Sequence, residues 1–331
     1  MRIAWVLAFA LVIAPATPVI AAPPGHIVRV GILGQIDPTF DPASNAFARE
    51  LVAGLRELGY LPGRDVVFEY RSAHGNTEAM PGLAIELVSL KPDMILAPRP
   101  GAILATMAAE RATTTIPIVM IGAEDAVETG LVKSLARPGG NITGLAVNAA
   151  EIAAKRVQLL KEAVPHLSRV AVLWNATLKG MALGYQNIEN ASPQLGVTIQ
   201  SIRVGGSEQF PEAFAAIENG QPDGLVVLYG PLRGDDLPRI VKFVTQRRLP
   251  TVFELGRGAS GGGLMEFGPD ASRMARRAAF YIDKIANGAK PADLPVEEPS
   301  EFELVVNLKA AKEMGFVVPH SLLLRADRII E

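Results

Sequence analysis

The amino-acid sequence predicts an α/β fold in which two doubly wound parallel-sheet lobes are joined by a three-stranded hinge. Apolar segments of strand length alternate with amphipathic segments of helix length, as in parallel sheets that carry helices on both faces. The same order of segments occurs again in the second half of the chain. A repeat of this length indicates a duplicated domain and not a solenoid.

Short motifs recur at the same places in both halves. Arg29-Val30-Gly31 returns as Arg169-Val170-Ala171, and Pro92-Asp93 returns as Pro222-Asp223, each time ahead of an apolar run. In the first half we predict strands over 27–33, 66–70, 94–97 and 118–121, and helices over 46–58, 80–89 and 102–112. In the second half we predict strands over 170–174, 197–204, 225–228 and 251–253, and helices over 149–164, 181–195, 210–219 and 237–248.

The repeat breaks after residue 253. A glycine-rich segment over 256–263 is followed by a predicted strand, a helix over 272–287, a strand over 302–307 and a short helix over 308–314. We assign residues 27–144 and 256–292 to the first lobe, and residues 145–255 and 293–331 to the second. The chain then crosses between the lobes three times, which predicts a hinge that bends without twisting freely.

The glycine-rich segment matches two functional patterns. Gly256–Gly261 fits G-x-G-x-x-G, and Gly258–Gly262 fits G-x-S-x-G. A dinucleotide site and a nucleophilic serine both require a helix directly after the glycines. Here a strand is predicted instead, so a flexible connector between the lobes is favoured over either alternative.

The N-terminal residues 1–21 are typical of a secretory signal peptide. Arg2 precedes an apolar stretch over 3–14, and Val19-Ile20-Ala21 resembles a cleavage site. Pro15 and Pro18 disfavour the alternative of a buried helix. The chain has no cysteine, which excludes disulfides and a cysteine-linked lipid anchor. We expect an extracytoplasmic protein.

Composition narrows the function classes. The net charge is −2, and no basic stripe with interleaved aromatics is present, so nucleic acid is not an expected partner. None of the 4 histidines forms a metal-ligand pair at helical spacing, and the phosphate-binding G-x-x-x-x-G-K-[ST] pattern is missing. We therefore predict no catalytic residues, no metal and no cofactor, and a protein that is not an enzyme.

Several longer motifs resemble one protein family. Residues 130–144, which include Ala136-Arg137-Pro138-Gly139-Gly140-Asn141, are similar to a signature of ABC-transporter substrate-binding proteins of the tryptophan/tyrosine-type group. Further similarity lies in residues 169–175, 262–265, 268–269, 290–296, 304–309 and 321–327.

The resemblance implies two Rossmann-like lobes in a type I periplasmic binding protein fold. It also implies capture of a small ligand and its delivery to a membrane permease powered by a separate ATPase. We expect a monomer. A secreted two-domain α/β enzyme and a ligand-sensing module for a membrane receptor remain as alternatives.

Ligands of doubly wound sheets bind at the carboxyl ends of the strands. The loops at these ends are 35–40, 98–102 and 122–129 in the first lobe, and 175–179, 229–233 and 254–257 in the second. The candidate ligand-binding residues are Gln35, Phe40, Arg99, Gly101, Asp125, Asn175, Tyr229, Glu254 and Phe267. Residues 98–101 read Pro-Arg-Pro-Gly where the family often has Gly-Thr-Pro, so the ligand is not carried over from the resemblance.

The candidate residues suggest a ligand class. Arg99 can bind a carboxylate through two hydrogen bonds, and Asp125 or Glu254 can accept from an amine. Phe40, Tyr229 and Phe267 can cover an apolar part. We therefore expect an amino acid or carboxylate. The alternatives are structural: Arg99 pointing to solvent, Glu254 pairing with Arg257, and the aromatic rings lying in the core.

Overall fold

The computed structural model describes residues 26–35, 39–99, 101–228, 236–254, 258–259 and 261–331. The predicted signal peptide and Tyr229 lie outside the described residues. Two sheets organise the chain, one of five strands and one of seven. The expected α/β architecture with parallel sheets in two lobes is confirmed. Among the helices of the described part, we find none with the length and apolarity that a membrane span requires.

The first lobe is built on a fully parallel sheet with the order β2-β1-β3-β4-β5. Its strands are β1 Val28–Gly34, β2 Val66–Ser72, β3 Met94–Pro98, β4 Ile118–Glu124 and β5 Ile142–Val147. Its helices are α1 Ala46–Glu57, α2 Met80–Ser89 and α3 Ala102–Ala112. Strands β3, β4 and β5 are buried at every position, as expected for a sheet covered on both faces.

The second lobe contains the seven-stranded sheet, in the order β12-β11-β10-β9-β8-β6-β7. Its elements are α4 Ala149–Ala163, β6 Arg169–Asn175, α5 Lys179–Leu195, β7 Thr198–Val204, α6 Phe210–Gly220, β8 Gly224–Leu228, α7 Asp236–Gln246, β9 Thr251–Phe253 and β10 Met265–Pro269. Helix α8 Ala271–Ala286 then packs on α1 in the first lobe. The chain ends with β11 Phe302–Asn307, α9 Leu308–Met314, α10 His320–Leu323 and β12 Arg328–Ile330.

The internal repeat is visible in the strand order. The run β2-β1-β3-β4 in the first sheet corresponds to β7-β6-β8-β9 in the second. The repeated Pro-Asp motif has the same structural role in both lobes. Asp93 accepts the backbone N–H of Arg29 at 2.7 Å, and Asp223 accepts that of Arg169 at 2.8 Å. Each aspartate thus joins the first strand of its lobe to the third at their amino ends.

The sheet pairing corrects two of the predicted lobe boundaries. Strand β10 pairs with β9 and β11 in the second sheet, so the return to the first lobe begins at α8 and not at residue 256. The segment before β11 belongs to the first lobe, because Val296 lies in its core and Glu297 bridges to Leu145 of β5. The three crossings therefore lie at residues 147–149, 269–271 and 298–302.

The glycine-rich segment was expected to connect the two lobes. Instead it joins β9 to β10, which pair in the same sheet of the second lobe. Side chains from outside the segment bond both the backbone N–H and the carbonyl of Ala259. The backbone N–H of Ala259 donates to Glu266 Oε1 at 2.8 Å, and Asn307 Nδ2 donates to the Ala259 carbonyl at 2.7 Å. A strand follows the glycines, as predicted, so the segment has neither the strand–turn–helix arrangement of a dinucleotide site nor that of a nucleophilic serine.

Replacement of Asn307 by alanine is expected to lower the free energy of unfolding by about 2 kcal/mol. The side chain is buried, bonds the Ala259 carbonyl and also accepts from Ala310 N at the start of α9. Asn45→Ala is the matched control, because Asn45 also caps a helix and donates to a carbonyl, that of Thr39 at 3.1 Å, but at a more accessible site. Chemical denaturation of both variants measures the difference. An equal loss in the two would show that burial of the Asn307 side chain adds nothing.

Candidate ligand site between the lobes

Two opposite charges meet across the junction of the lobes. Arg99 follows β3 in the first lobe, and Glu254 follows β9 in the second. Arg99 Nη2 lies 3.7 Å from Glu254 Oε1, and the two side chains are only 16% and 15% exposed. Arg99 therefore does not point to solvent. Two of the predicted loops meet at this pair.

Two further charged residues, which were not among the candidate residues, belong to the same cluster; Glu124 lies in the predicted loop 122–129, whereas Arg156 lies outside all predicted loops. Arg156 of α4 is 2% exposed, lies 4.0 Å from Glu254, and donates from Nε to the Phe267 carbonyl at 3.0 Å. Glu124 ends β4. Burial raises the pKa of Glu124. The positive charge of Arg99 lowers this pKa, and the negative charge of Glu254 raises it. Burial also lowers the pKa of Arg156. The pKa of Glu124 is raised to about 7, so this carboxyl is partly protonated at neutral pH. The cluster still carries charges of both signs, which can bind the two ends of a zwitterion.

Two glycines with positive φ allow the close packing around this cluster. At Gly122, which has φ +84°, an added Cβ would lie 2.2 Å from Cδ of Arg99. At Gly101, which has φ +83°, an added Cβ would lie 2.0 Å from Oε1 of Gln35. Any side chain at either position would displace a polar group of the site. The predicted site residue Gly101 thus acts by leaving space for Gln35.

Several polar side-chain atoms near this cluster are buried and have no partner within the described ranges of the chain. Arg99 Nη1 and both polar atoms of the Gln35 amide have no hydrogen-bond partner among the described residues. Buried polar groups in folded proteins are normally paired, because an unpaired one costs about 1–3 kcal/mol. A ligand can therefore accept hydrogen bonds from Arg99 Nη1 and Gln35 Nε2 and donate one to Gln35 Oε1.

The other predicted residues lie in different surroundings. Asn175 is buried, and its side-chain oxygen accepts from the backbone N–H and the hydroxyl of Thr177, so it stabilises the loop after β6. Phe40 packs in an aromatic cluster with Phe47, Phe68 and Tyr70. Phe267 packs against the cores of both lobes and stacks on Phe302 at 5.7 Å. Their contacts with a ligand stay predictions.

Asp125 lies at the hinge side of the cluster. Its backbone has φ +46°, and the N–H groups of Ala149 and Ala150 at the start of α4 favour the charged form of its carboxylate. The pKa of Asp125 is raised to about 6, mainly by burial and further by the charges of Glu128 and Glu298. The N–H groups of Ala149 and Ala150 lower it, but by less. Its Oδ2 atom has no hydrogen-bond partner within the described part of the chain.

The raised pKa of Asp125 predicts a pH-dependent stability. The folded protein holds this proton more tightly than the unfolded chain, so the free energy of unfolding falls as the pH rises from about 4 to about 6. Asp125→Asn should therefore stabilise the protein by about 1–3 kcal/mol at neutral pH and have little effect near pH 4. Asparagine also tolerates the positive φ. Urea unfolding at both pH values measures this, and an effect that does not change with pH would contradict it.

Comparisons with known proteins agree with this architecture. The family described as "ABC transporter substrate binding protein" matches residues 36–330. A protein named "Tyrosine-binding protein" from Clostridioides difficile is 25% identical over 292 residues, which cover 86% of this chain and 80% of that protein.

Solved structures show the same fold. A conserved domain protein from Vibrio cholerae has a TM-score of 0.82 at 25% identity, over 92% of this chain and 100% of that one. An ABC domain in complex with L-Trp from Streptococcus pneumonia has a TM-score of 0.81 at 23% identity, with the same coverage. The family match extends over most of the chain. The protein therefore belongs to the family of ABC transporter substrate-binding proteins.

Proposed function

We propose that this protein is an extracytoplasmic solute-binding protein of an ABC importer, and that it captures an amino acid with an apolar or aromatic side chain between its lobes. The observation that carries the proposal is the Arg99–Glu254 pair across the lobes. Beside it lie N–H groups of Arg99 and Gln35 that have no hydrogen-bond partner among the residues that the structure describes. The ligand carboxylate accepts from Arg99 Nη1 and Gln35 Nε2. The ligand ammonium donates to Glu254, with Glu124 nearby.

The relatives support this ligand class. One is named for tyrosine, and another was solved with L-Trp, so both ligands are zwitterions with an aromatic side chain. One relative is named as a binding protein and the other was solved in complex with an amino acid, which favours binding over the alternative of a secreted enzyme. The signal peptide expected from the sequence is consistent with delivery of the ligand to a membrane permease and its ATPase.

Capture should involve closure of the lobes. A ligand selects the closed state only if it touches both lobes, and the proposed contacts come from Arg99 in the first lobe and Glu254 in the second. Small-angle scattering should therefore show a smaller radius of gyration with ligand than without it. An unchanged radius at saturation would contradict closure.

A thermal-shift screen tests the ligand class, because a ligand that binds only the folded state raises its stability. The screen compares L-tryptophan, L-tyrosine and L-phenylalanine with tryptamine, which lacks the carboxylate, and with 3-indolepropionate, which lacks the amine. We expect one or more of the amino acids to raise the melting temperature and both truncated compounds to have much less effect. A shift produced equally by tryptamine, or by a neutral sugar alone, would overturn the proposal.

A further inference from the structure

A second cavity lies beside the hinge and is lined by residues of both lobes. Its volume is about 260 Å³, slightly below the usual range for ligand pockets. The first lobe contributes Asp125 and Leu135, helix α5 contributes Leu183, and the third crossing contributes Glu298. We call this cavity the hinge pocket. The described residues that line it do not include Arg99, Glu254 or Gln35.

Asp125 supplies a buried acceptor in the hinge pocket. The side chain is only 7% exposed, and its Oδ2 has no hydrogen-bond partner among the described residues. The N–H groups of Ala149 and Ala150 at the start of α4 favour the charged form of this carboxylate. A buried carboxylate oxygen without a donor is costly, and a cationic donor would satisfy it more strongly than a neutral one.

Further negative charge lies at the rim. Glu128 and Glu298 line the same pocket, are more exposed than Asp125, and lie close enough to raise its pKa. Burial raises the pKa of Glu298, and the negative charges of Glu128 and Glu151 raise it further. The described lining contains no lysine, arginine or histidine. The pocket thus has one buried acceptor and a separate acidic rim.

The walls between these acidic groups are partly apolar. Leu135, Leu183 and Val127 line the pocket together with the acids. A metal ion needs oxygen ligands that converge at about 2.0–2.6 Å, and the described residues contain no cluster of acidic or histidine side chains arranged in that way. An acceptor at the bottom, an apolar wall and a second acidic group at the rim instead fit an alkyl chain with a cation at each end.

We propose that the hinge pocket binds a small organic dication of the α,ω-diamine class, at a site separate from the amino-acid cleft. One ammonium group donates to Asp125 Oδ2, the methylene groups contact Leu135 and Leu183, and the second ammonium lies between Glu128 and Glu298. Because the pocket is lined by both lobes and by a hinge crossing, its ligand stabilises one relative position of the lobes.

Calorimetric titration of the mature chain tests this site with 1,4-diaminobutane, 1-aminobutane and the neutral 1,4-butanediol. We expect the diamine to bind, the monoamine to bind about tenfold more weakly, and the diol not to bind. Asp125→Asn should weaken the diamine about tenfold or more, and Glu298→Gln, at the exposed rim, about threefold. Glu110→Gln on the exposed face of α3 is the matched charge control and should have no effect.

The cleft supplies an independent control. Arg99→Ala should leave the diamine affinity unchanged in the absence of an amino acid. Saturation with L-tryptophan should change it by no more than a fixed factor, because the two ligands are coupled only through the position of the lobes. Competition between the two ligands, or loss of diamine binding in Arg99→Ala, would show that the pocket is part of the cleft and would overturn the proposal. Equal binding of the diol, wild-type affinity in both Asp125→Asn and Glu298→Gln, or binding of Ca²⁺ without the diamine would overturn it as well.

Discussion

Replacement of Arg99 by alanine is expected to weaken the binding of an amino acid by about tenfold or more, because loss of a desolvated charge-assisted contact costs about 2 kcal/mol or more. The guanidinium is mostly buried, lies over Gly122 and has Nη1 without a partner in the described chain. Its removal takes away the carboxylate contact and leaves Glu124 and Glu254 with less positive charge nearby. Calorimetry with L-tryptophan or L-tyrosine measures the loss.

Two variants make this experiment specific. Arg111→Ala removes an exposed arginine from α3 and should bind like the wild type. Arg99→Lys keeps the charge but loses the planar donor pair, so it should recover only part of the affinity. If folded Arg99→Ala binds within about twofold of the wild type, Arg99 does not contact the ligand and the carboxylate has another partner.

The repeated core of both lobes could be predicted from sequence for a physical reason. Buried parallel strands must be apolar on both faces, so β1, β3 and β4 and their counterparts β6, β8 and β9 are nearly continuous apolar runs. The Pro-Asp motif recurs because each aspartate bonds the first strand of its lobe. Local pattern and tertiary role agree at these positions.

Sheet membership could not be predicted in the same way. An apolar run shows that a segment is a strand but not which sheet it joins, because pairing depends on residues far away in the chain. Strand β10 follows a glycine-rich segment that looked like a connector between the lobes, yet it pairs with β9 and β11. The anchors of that segment, Glu266 and Asn307, lie beyond the glycines and become visible only in three dimensions.

The site was predictable only in part, for a related reason. The rule that ligands bind at the carboxyl ends of strands predicted the loops of Gln35, Arg99 and Glu254. Arg156 was missed because it lies within a helix, although the sequence contains a signal. It shares the apolar face of α4 with Ala153, Val157 and Leu160, where a solvent-facing arginine would not be expected. A charged residue inside an apolar stripe indicates a buried partner.

Replacement of Arg156 by methionine is expected to lower the free energy of unfolding by about 3–5 kcal/mol, the usual cost of removing one member of a buried ion pair. Methionine fills a similar volume in the apolar face of α4, so the loss is mainly electrostatic. The Phe267 carbonyl loses its 3.0 Å hydrogen bond at the lobe junction, and buried Glu254 loses one of its two cationic neighbours. Denaturant unfolding of both proteins gives the difference.

Arg276 provides the control that separates burial from the number of ion pairs. It lies within 2.8 and 3.0 Å of two carboxylates, Glu50 and Glu57, which are closer than any acidic partner of Arg156, but it is 47% exposed. Exposed pairs contribute little, so Arg276→Met should change the free energy of unfolding much less than Arg156→Met despite losing the shorter contacts. An equal effect of the two replacements would mean that Arg156 contributes only as an ordinary ion pair. A large difference would show that the stability of the protein depends on the buried guanidinium of Arg156, which donates to the Phe267 carbonyl and lies 4.0 Å from Glu254.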